Sequence, residues 1–444
     1  MLLPKKQNKI IKTKIPLIQN RLLGNSIYTG IALFFVGIVP FIFNVFVARY
    51  FGKEQLGQIN ISLSFCLLIT LFVTNFFGTT SNKFLSEYRG RNELEPFNIV
   101  FLFSLLGPLL INTVIIFFIF IFWDIILIRF SLNEGMIIPM ILYIFGRTYY
   151  IVIRKVYYGI NLVANYTFIE IIADLIILVS IFAICHFGSS SLILYSFTFG
   201  YLIFSLIGLA ILFLKYEIIT THLKPTKDFN YKIIFNKYSK YGFITMIGNA
   251  SSAGTSYLSM LFIGYYLSTS QAGIYSSVLA IISIVMFIPR LFSQVLLPEF
   301  SNLFGSGKIE LLKNTLIISS LFLSIIGAVI ILPLFIFSNE ILSLFGSSFI
   351  DGSQILRIMT PAIFIRIISV PIVTFLSSTK YVIYPNIGGV IILITSVIAW
   401  IILTPIYKLN GIAFGYLIGT TVGIGYQMIA GLIKFNIYTK KMKA

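Results

Sequence analysis

Five ionisable residues stand inside stretches that are otherwise apolar: Arg147, Arg290 and Arg366, and the carboxylates Glu170 and Asp174. A guanidinium group can hold two phosphate oxygens at once, so the arginines suit an anionic ligand. Glu170 and Asp174 are spaced i to i+4 and share one helix face, close enough to hold a proton between them. That arrangement suits coupling to H+ or Na+. Each set also has a plainer reading. The arginines snorkel or close structural ion pairs, and the carboxylates pair with Arg147, Arg154 or Lys155 of the neighbouring span. Arg290 lies near Glu299 and a span end, whereas the helical neighbours of Arg366 (Ala362, Ile363, Ser369, Val370) offer no counter-charge. Three arginines at the bilayer centre would cost roughly 8 to 10 kcal/mol if they faced lipid, which turns them toward an aqueous interior.

The elements that must position these groups are membrane spans. Apolar residues make up 58% of the chain and charged residues 10%, and the mean hydropathy is strongly positive, so lipid is the main solvent. A spanning helix needs about 20 apolar residues, and such stretches recur with short polar breaks. The pattern predicts an all-α integral membrane protein with about twelve transmembrane helices, at 27–48, 57–80, 97–122, 136–158, 163–186, 190–214, 242–266, 273–297, 315–337, 353–378, 382–404 and 410–434. The first 21 residues are basic and polar and resemble no cleavable signal peptide, so the first span is expected to stay as an anchor. Cys66 and Cys185 both fall inside spans, which argues against a disulfide or a metal site.

A net charge of +18 would suggest nucleic acid in a soluble protein, but here the charge belongs to the loops and no nucleic-acid partner is expected. One side collects the N-terminal lysines, Lys83, Arg89, Arg91, Arg154, Lys155, Lys215, Lys224, Lys227, Lys232, Lys237, Lys240, Lys308, Lys313, Lys380 and the C-terminal lysines. The other side has Arg49, Lys53, Arg129, Arg357 and Lys408. The positive-inside rule then puts both termini in the cytoplasm.

The polar segment 215–241 divides the chain. It separates a first six-helix bundle (27–214), preceded by a basic arm (1–26), from a second bundle (242–434) with a short tail (435–444). At a shift of 216 residues, Tyr50, Gln55 and Gly57 meet Tyr266, Gln271 and Gly273, and Leu63 and Phe84 meet Leu279 and Phe300. An even number of spans per repeat keeps the orientation, so the two pseudo-symmetric bundles should be related by an axis along the membrane normal. The short loops leave no place for an extramembrane catalytic domain. H-E-x-x-H, G-x-x-x-x-G-K-S/T and G-x-S-x-G are absent, and His186 and His222 are the only histidines. No enzyme activity, catalytic residue, metal or cofactor is expected, beyond Na+ or H+ as a coupling ion. Thr245, Asn249, Ser252, Ser256 and Ser259 form a polar stripe on the seventh span, for helix packing or cavity lining. Tyr149, Tyr150, Tyr157 and Tyr158 read as an interfacial belt, with sugar stacking as the alternative.

The segments that carry the repeat also resemble a known family. Ala48-Arg-Tyr-Phe-Gly-Lys-Glu-Gln-Leu-Gly57 and Phe84-Leu-Ser-Glu-Tyr-Arg-Gly90 are similar to the first helical pair of bacterial polysaccharide transporters. These form the O-antigen flippase-like branch of the multidrug/oligosaccharidyl-lipid/polysaccharide (MOP) superfamily. The second half repeats the likeness in Ile263-Gly-Tyr-Tyr-Leu267, Ala272-Gly-Ile-Tyr275 and Ser293-Gln-Val-Leu-Leu-Pro-Glu-Phe300. Leu344-Phe-Gly346, Ile355-Leu-Arg357 and Gly411-Ile-Ala-Phe-Gly415 extend it over nearly the whole chain.

The resemblance implies a MATE-like fold in the plasma (inner) membrane. It implies a flippase that carries a polyprenyl-pyrophosphate-linked oligosaccharide from the cytoplasmic to the outer leaflet by alternating access, beside a polysaccharide polymerase and glycosyltransferases. In that reading Arg147, Arg290 and Arg366 form a cationic cavity for the pyrophosphate. The related lipid II flippases carry two further helices beyond twelve, whereas this sequence ends about ten residues after its twelfth span. A cation-coupled multidrug exporter of the same superfamily would place acids in its first, seventh or eighth span, and none lies there. The remaining alternative is a non-transporting scaffold of a glycan-assembly complex.

Overall fold

The computed structural model describes residues 5–130, 132–225 and 230–443, with side chains from Phe34 onward except those of Val163, Ser252 and the last four residues. The charges of the basic arm, Lys227 and the side chain of Ser252 lie outside what is described.

With no water to satisfy backbone groups, a membrane chain forms helices whose hydrogen bonds close within each segment. The described residues are helical almost throughout, with one isolated bridge between Glu93 and Lys224. In chain order the helices are α1 (Lys5–Thr74), α2 (Thr80–Arg91), α3 (Leu94–Ile121), α4 (Trp123–Phe130), α5 (Ile137–Gly159), α6 (Val163–Phe187), α7 (Leu194–Leu214) and α8 (Tyr216–Thr220). The second half runs α9 (Tyr231–Tyr266), α10 (Thr269–Val285), α11 (Phe287–Gly305), α12 (Ile309–Ile336), α13 (Ser338–Ser343), α14 (Ser353–Ser378), α15 (Ile383–Tyr407) and α16 (Leu409–Lys443).

Ten helical stretches among the described residues are long and apolar enough to cross a bilayer. They account for twelve spans for two reasons. The first stretch, Phe34–Arg91, contains two, because Gly52 breaks α1 with a φ of 77°, a left-handed value that glycine adopts without a Cβ clash. The chain then doubles back: Asn60 Nδ2 donates to Asn44 Oδ1 at 2.9 Å, whereas sixteen residues of straight helix would put them about 24 Å apart. The twelfth is α9, whose serines, glycines and lysine-rich start dilute its hydropathy.

Local sequence explains the two other breaks that matter. Pro289 has no N–H to offer the Val285 carbonyl, and the eighth span divides there into α10 and α11, so that Arg290 follows the break directly. In the second span a π-helical turn, Asn75–Thr79, loosens the carbonyl ladder. The second half supplies donors: Tyr238 Oη bonds the Phe77 carbonyl at 3.1 Å, and Thr245 Oγ1 reaches that of Asn75 at 3.4 Å.

The halves meet where α1 packs against α9 and α10. On the face where Gly52 and Leu267 turn, a Cβ on Gly57 would lie 1.8 Å from the Thr269 carbonyl oxygen, and one on Gly273 would lie 1.8 Å from that of Lys53. Both contacts join positions related by the 216-residue shift, as a two-fold interface requires. The predicted same-orientation repeat is therefore present in the packing. Helices α3 and α12 have the smallest buried shares, 33% and 11%, and lie at the periphery with their exposed apolar faces toward lipid.

Candidate functional site

The first half builds its site from one face each of α5, α6 and α7, closed by the start of the first span. Tyr143, Arg147, Tyr150 and Arg154 recur at helical spacing on α5, as do Tyr166, Glu170 and Asp174 on α6 and Phe197 and Tyr201 on α7. Arg147 Nη1 donates to Tyr201 Oη at 2.7 Å. Its guanidinium carbon stands 4.8 Å from the Tyr201 ring centroid and 5.0 Å from that of Tyr150. Such desolvated cation–π contacts contribute about 2 kcal/mol each.

The carboxylates are buried in the same place. Glu170 accepts from Tyr150 Oη and pairs with Arg154, whose Nη1 is 3.8 Å from Glu170 Oε1 and 3.3 Å from Tyr150 Oη. Arg147 and Asp174 line one cavity of about 50 Å³ with Val36, Val39, Pro40, Tyr150, Phe197 and Tyr201. It is large enough for a water molecule or a bare cation. Glu170 Oε2, Asp174 Oδ2 and Arg147 Nε have no hydrogen-bond partner, so each retains an unused donor or acceptor. Two guanidinium groups and two carboxyl groups thus share one buried cluster.

The second half is built differently. Arg366 on α14 is half-buried, with its guanidinium carbon 5.4 Å from the Tyr416 ring centroid on α16 and its Nε without a partner. Arg290 on α11 is exposed and interacts electrostatically with Arg154 of the first half and with Arg366 and Tyr257 of its own half. Arg290 thus lies between charged groups of the two halves. Neither Arg290 nor Arg366 has an ion pair among the described residues. The acids of the second-half spans, Glu299, Glu310 and Asp351, stand near the ends of their helical stretches.

The five residues singled out from sequence therefore fall into two sets: Arg147, Glu170 and Asp174 together in the first half, Arg290 and Arg366 in the second. Of the ion pairs weighed for the carboxylates, the structure contains Glu170 with Arg154. Lys155 instead lies with its stem against Gly78. Arg154, counted with the loops, turns inward with only 15% of its side chain exposed.

The tyrosines do not form an interfacial belt. Tyr150 and Tyr157 are buried, Tyr157 bonds the Gly208 carbonyl at 2.9 Å, Tyr149 bonds that of Leu105 at 2.7 Å, and Tyr158 bonds Tyr166 at 2.6 Å. Each hydroxyl finds a partner within the helix bundle. On the seventh span, Thr245 and Ser259 are packed and bonded, whereas Asn249 is exposed. Sequence reasoning named Arg154 as a partner for the carboxylates, which the structure bears out, and missed Tyr201 and Tyr416. The available signal was the repeat, which places an arginine in the fourth span and a tyrosine in the sixth span of each half.

Comparison with known proteins agrees with this architecture. The family model described as polysaccharide biosynthesis protein matches residues 22–304, and the MatE model matches 245–406. No curated protein matches the chain. Among solved structures, an inward-facing multidrug resistance MATE family transporter of the MOP superfamily superposes with a TM-score of 0.76 at 14% identity, over 90% of this chain and 95% of that one. The outward-facing conformation of a MATE transporter scores 0.65 at 14% identity, over 94% and 96%. The lipid II flippase MurJ in an inward closed conformation scores 0.66 at 18% identity, over 94% and 90%. At these identities the likeness establishes the fold.

Proposed function

The chain belongs to the polysaccharide biosynthesis protein family, and on that premise we propose that it flips a polyprenyl-pyrophosphate-linked oligosaccharide from the cytoplasmic to the outer leaflet. The observation that carries this reading is the pair of arginines, Arg290 and Arg366, which have no ion pair among the described residues, with Arg290 near charged groups of both halves. Guanidinium groups without a carboxylate partner favour a phosphate-bearing ligand and repel a cationic one. A cationic-drug exporter is disfavoured for the same reason: the buried acids, Glu170 and Asp174, are matched by Arg154 and Arg147.

Movement would follow alternating access, with the halves rocking about the axis that relates Gly57 and Gly273. The higher score against the inward-facing transporter supports an inward-facing state, with the Gly57/Gly273 face on the outer side. The termini are then cytoplasmic, in keeping with the basic loops, and the membrane is the plasma (inner) membrane. Glu170 and Asp174, beside a cavity that fits a water or cation, are the coupling site for H+ or Na+. A polymerase and glycosyltransferases would act on either side of the step.

The test is reconstitution in liposomes with a fluorescent polyprenyl-pyrophosphate oligosaccharide whose outer-leaflet copies are quenched. Protein-dependent translocation is expected. Correctly folded protein that leaves the probe in its original leaflet would overturn the proposal, and leave the scaffold role.

A further inference from the structure

The internal repeat extends to the charged groups. Arg147 in the fourth span lies over Tyr201 of the sixth, at 4.8 Å, and Arg366 in the tenth lies over Tyr416 of the twelfth, at 5.4 Å. The same arginine–tyrosine pairing thus joins the fourth and sixth spans of each half, within three residues of the 216-residue shift. Their surroundings have diverged. In the first half the intervening span, α6, contributes Glu170 and Asp174, and α5 adds Arg154. In the second half the intervening span, α15, contains no acid, and α11 adds Arg290.

From this asymmetry, and resting on the flippase reading above, we propose that the anionic end of the cargo is seated by the second half alone, on Arg290 and Arg366. Arg147 is withdrawn from anion binding by the carboxylates beside it. Two physical arguments support the division. Transfer of a phosphate to Arg147 would bring it into the cavity that Asp174 lines, beside Glu170, and like charges in a low-dielectric site oppose binding. Arg147 and Arg366 each carry an unbonded Nε–H, but only Arg366 and the exposed Arg290 offer their donors with no carboxylate lining the same place among the described residues. Their mutual repulsion in the absence of ligand would be relieved by a doubly charged pyrophosphate between them.

The division also fixes how the cargo sits. Its phosphates point to the second half, and the first-half cluster is left free for the coupling ion. One half would then read the anion while the other reads the gradient.

The experiment measures binding of inorganic pyrophosphate to the full-length protein in lipid nanodiscs, with folding checked by thermal unfolding. Arg290→Gln and Arg366→Gln should each weaken binding at least about tenfold, the value of a lost charge-assisted contact, and Arg147→Gln by less than about threefold. Neutralising the first-half acids together, Glu170→Gln with Asp174→Asn, should unmask the repeat-related site, raising the stoichiometry from one pyrophosphate to two. Absence of binding to the unmodified protein, a loss at Arg147→Gln equal to that at Arg366→Gln, or an unchanged stoichiometry in the acid-free variant would overturn the inference. The flippase reading stands or falls separately, on translocation in liposomes.

Discussion

Gly57 rests on the backbone of Thr269 so closely that a single added Cβ would lie 1.8 Å from the Thr269 carbonyl oxygen. The repeat-related contact, Gly273 on Lys53, has the same separation. The pseudo-two-fold axis passes between them, and the halves cannot approach further on that face.

Substitution of either glycine should therefore wedge this face open. Gly57→Ala and Gly273→Ala are each expected to disfavour the closed state by about 1 to 3 kcal/mol, the usual range for overpacking. Double electron–electron resonance between spin labels on the two halves of that face would show the distance distribution lengthening, by similar amounts in the two variants. An unaltered distribution would mean that the contact is incidental to closure.

Arg154 and Glu170 should behave as a buried pair. Arg154→Gln leaves a buried carboxylate without its cation and is expected to lower stability by about 3 to 5 kcal/mol. Arg154→Gln combined with Glu170→Gln should recover most of that loss. Thermal unfolding in detergent, read as a double-mutant cycle, measures the interaction.

Glu170→Gln and Asp174→Asn should separate coupling from passage. Each is expected to remove the acceleration of flipping by an imposed H+ or Na+ gradient while retaining slow downhill exchange. The comparison requires liposomes with and without the gradient. A variant still accelerated as strongly as the parent would exclude that carboxylate from coupling.

Arg366→Ala should reduce flipping about tenfold or more with unchanged membrane insertion and folding. Insertion is read by fractionation and flipping by the leaflet-quenching assay. Undiminished flipping would remove Arg366 from the substrate site.

Sidedness has its own test. Cysteines placed at Ser347 and Lys224, which lie beyond opposite ends of the spans, should react with an impermeant maleimide in intact cells at Ser347 only, and at Lys224 only after permeabilisation. Cys66 and Cys185 are buried and should stay silent in both conditions. The reverse pattern would invert the topology.

Much of this protein could be read from the order of its residues. Apolar runs of bilayer length dictate helices because lipid satisfies no backbone group, and the basic loops and the 216-residue repeat follow from local composition. Gly57 and Gly273 were visible as a repeated pair, although nothing in one dimension says that each packs on the other half. The ionisable residues inside spans were likewise legible as exceptions, since their cost in lipid makes chance placement rare.

What they do was decided in three dimensions. Arg154 reads equally as a loop charge and as a partner for the carboxylates until α5 turns it onto Glu170, and the tyrosines of α5 read as a belt until their hydroxyls meet carbonyls, a carboxylate and one another. Arg147 and Arg366 are the same residue type in the same span of each half. Only the helix packed beside each one, α6 with two acids or α15 with none, sets whether carboxylates stand near its guanidinium group. The energy of a charge depends on what lies within a few ångströms, and in a bundle of helices those neighbours are supplied by packing between spans.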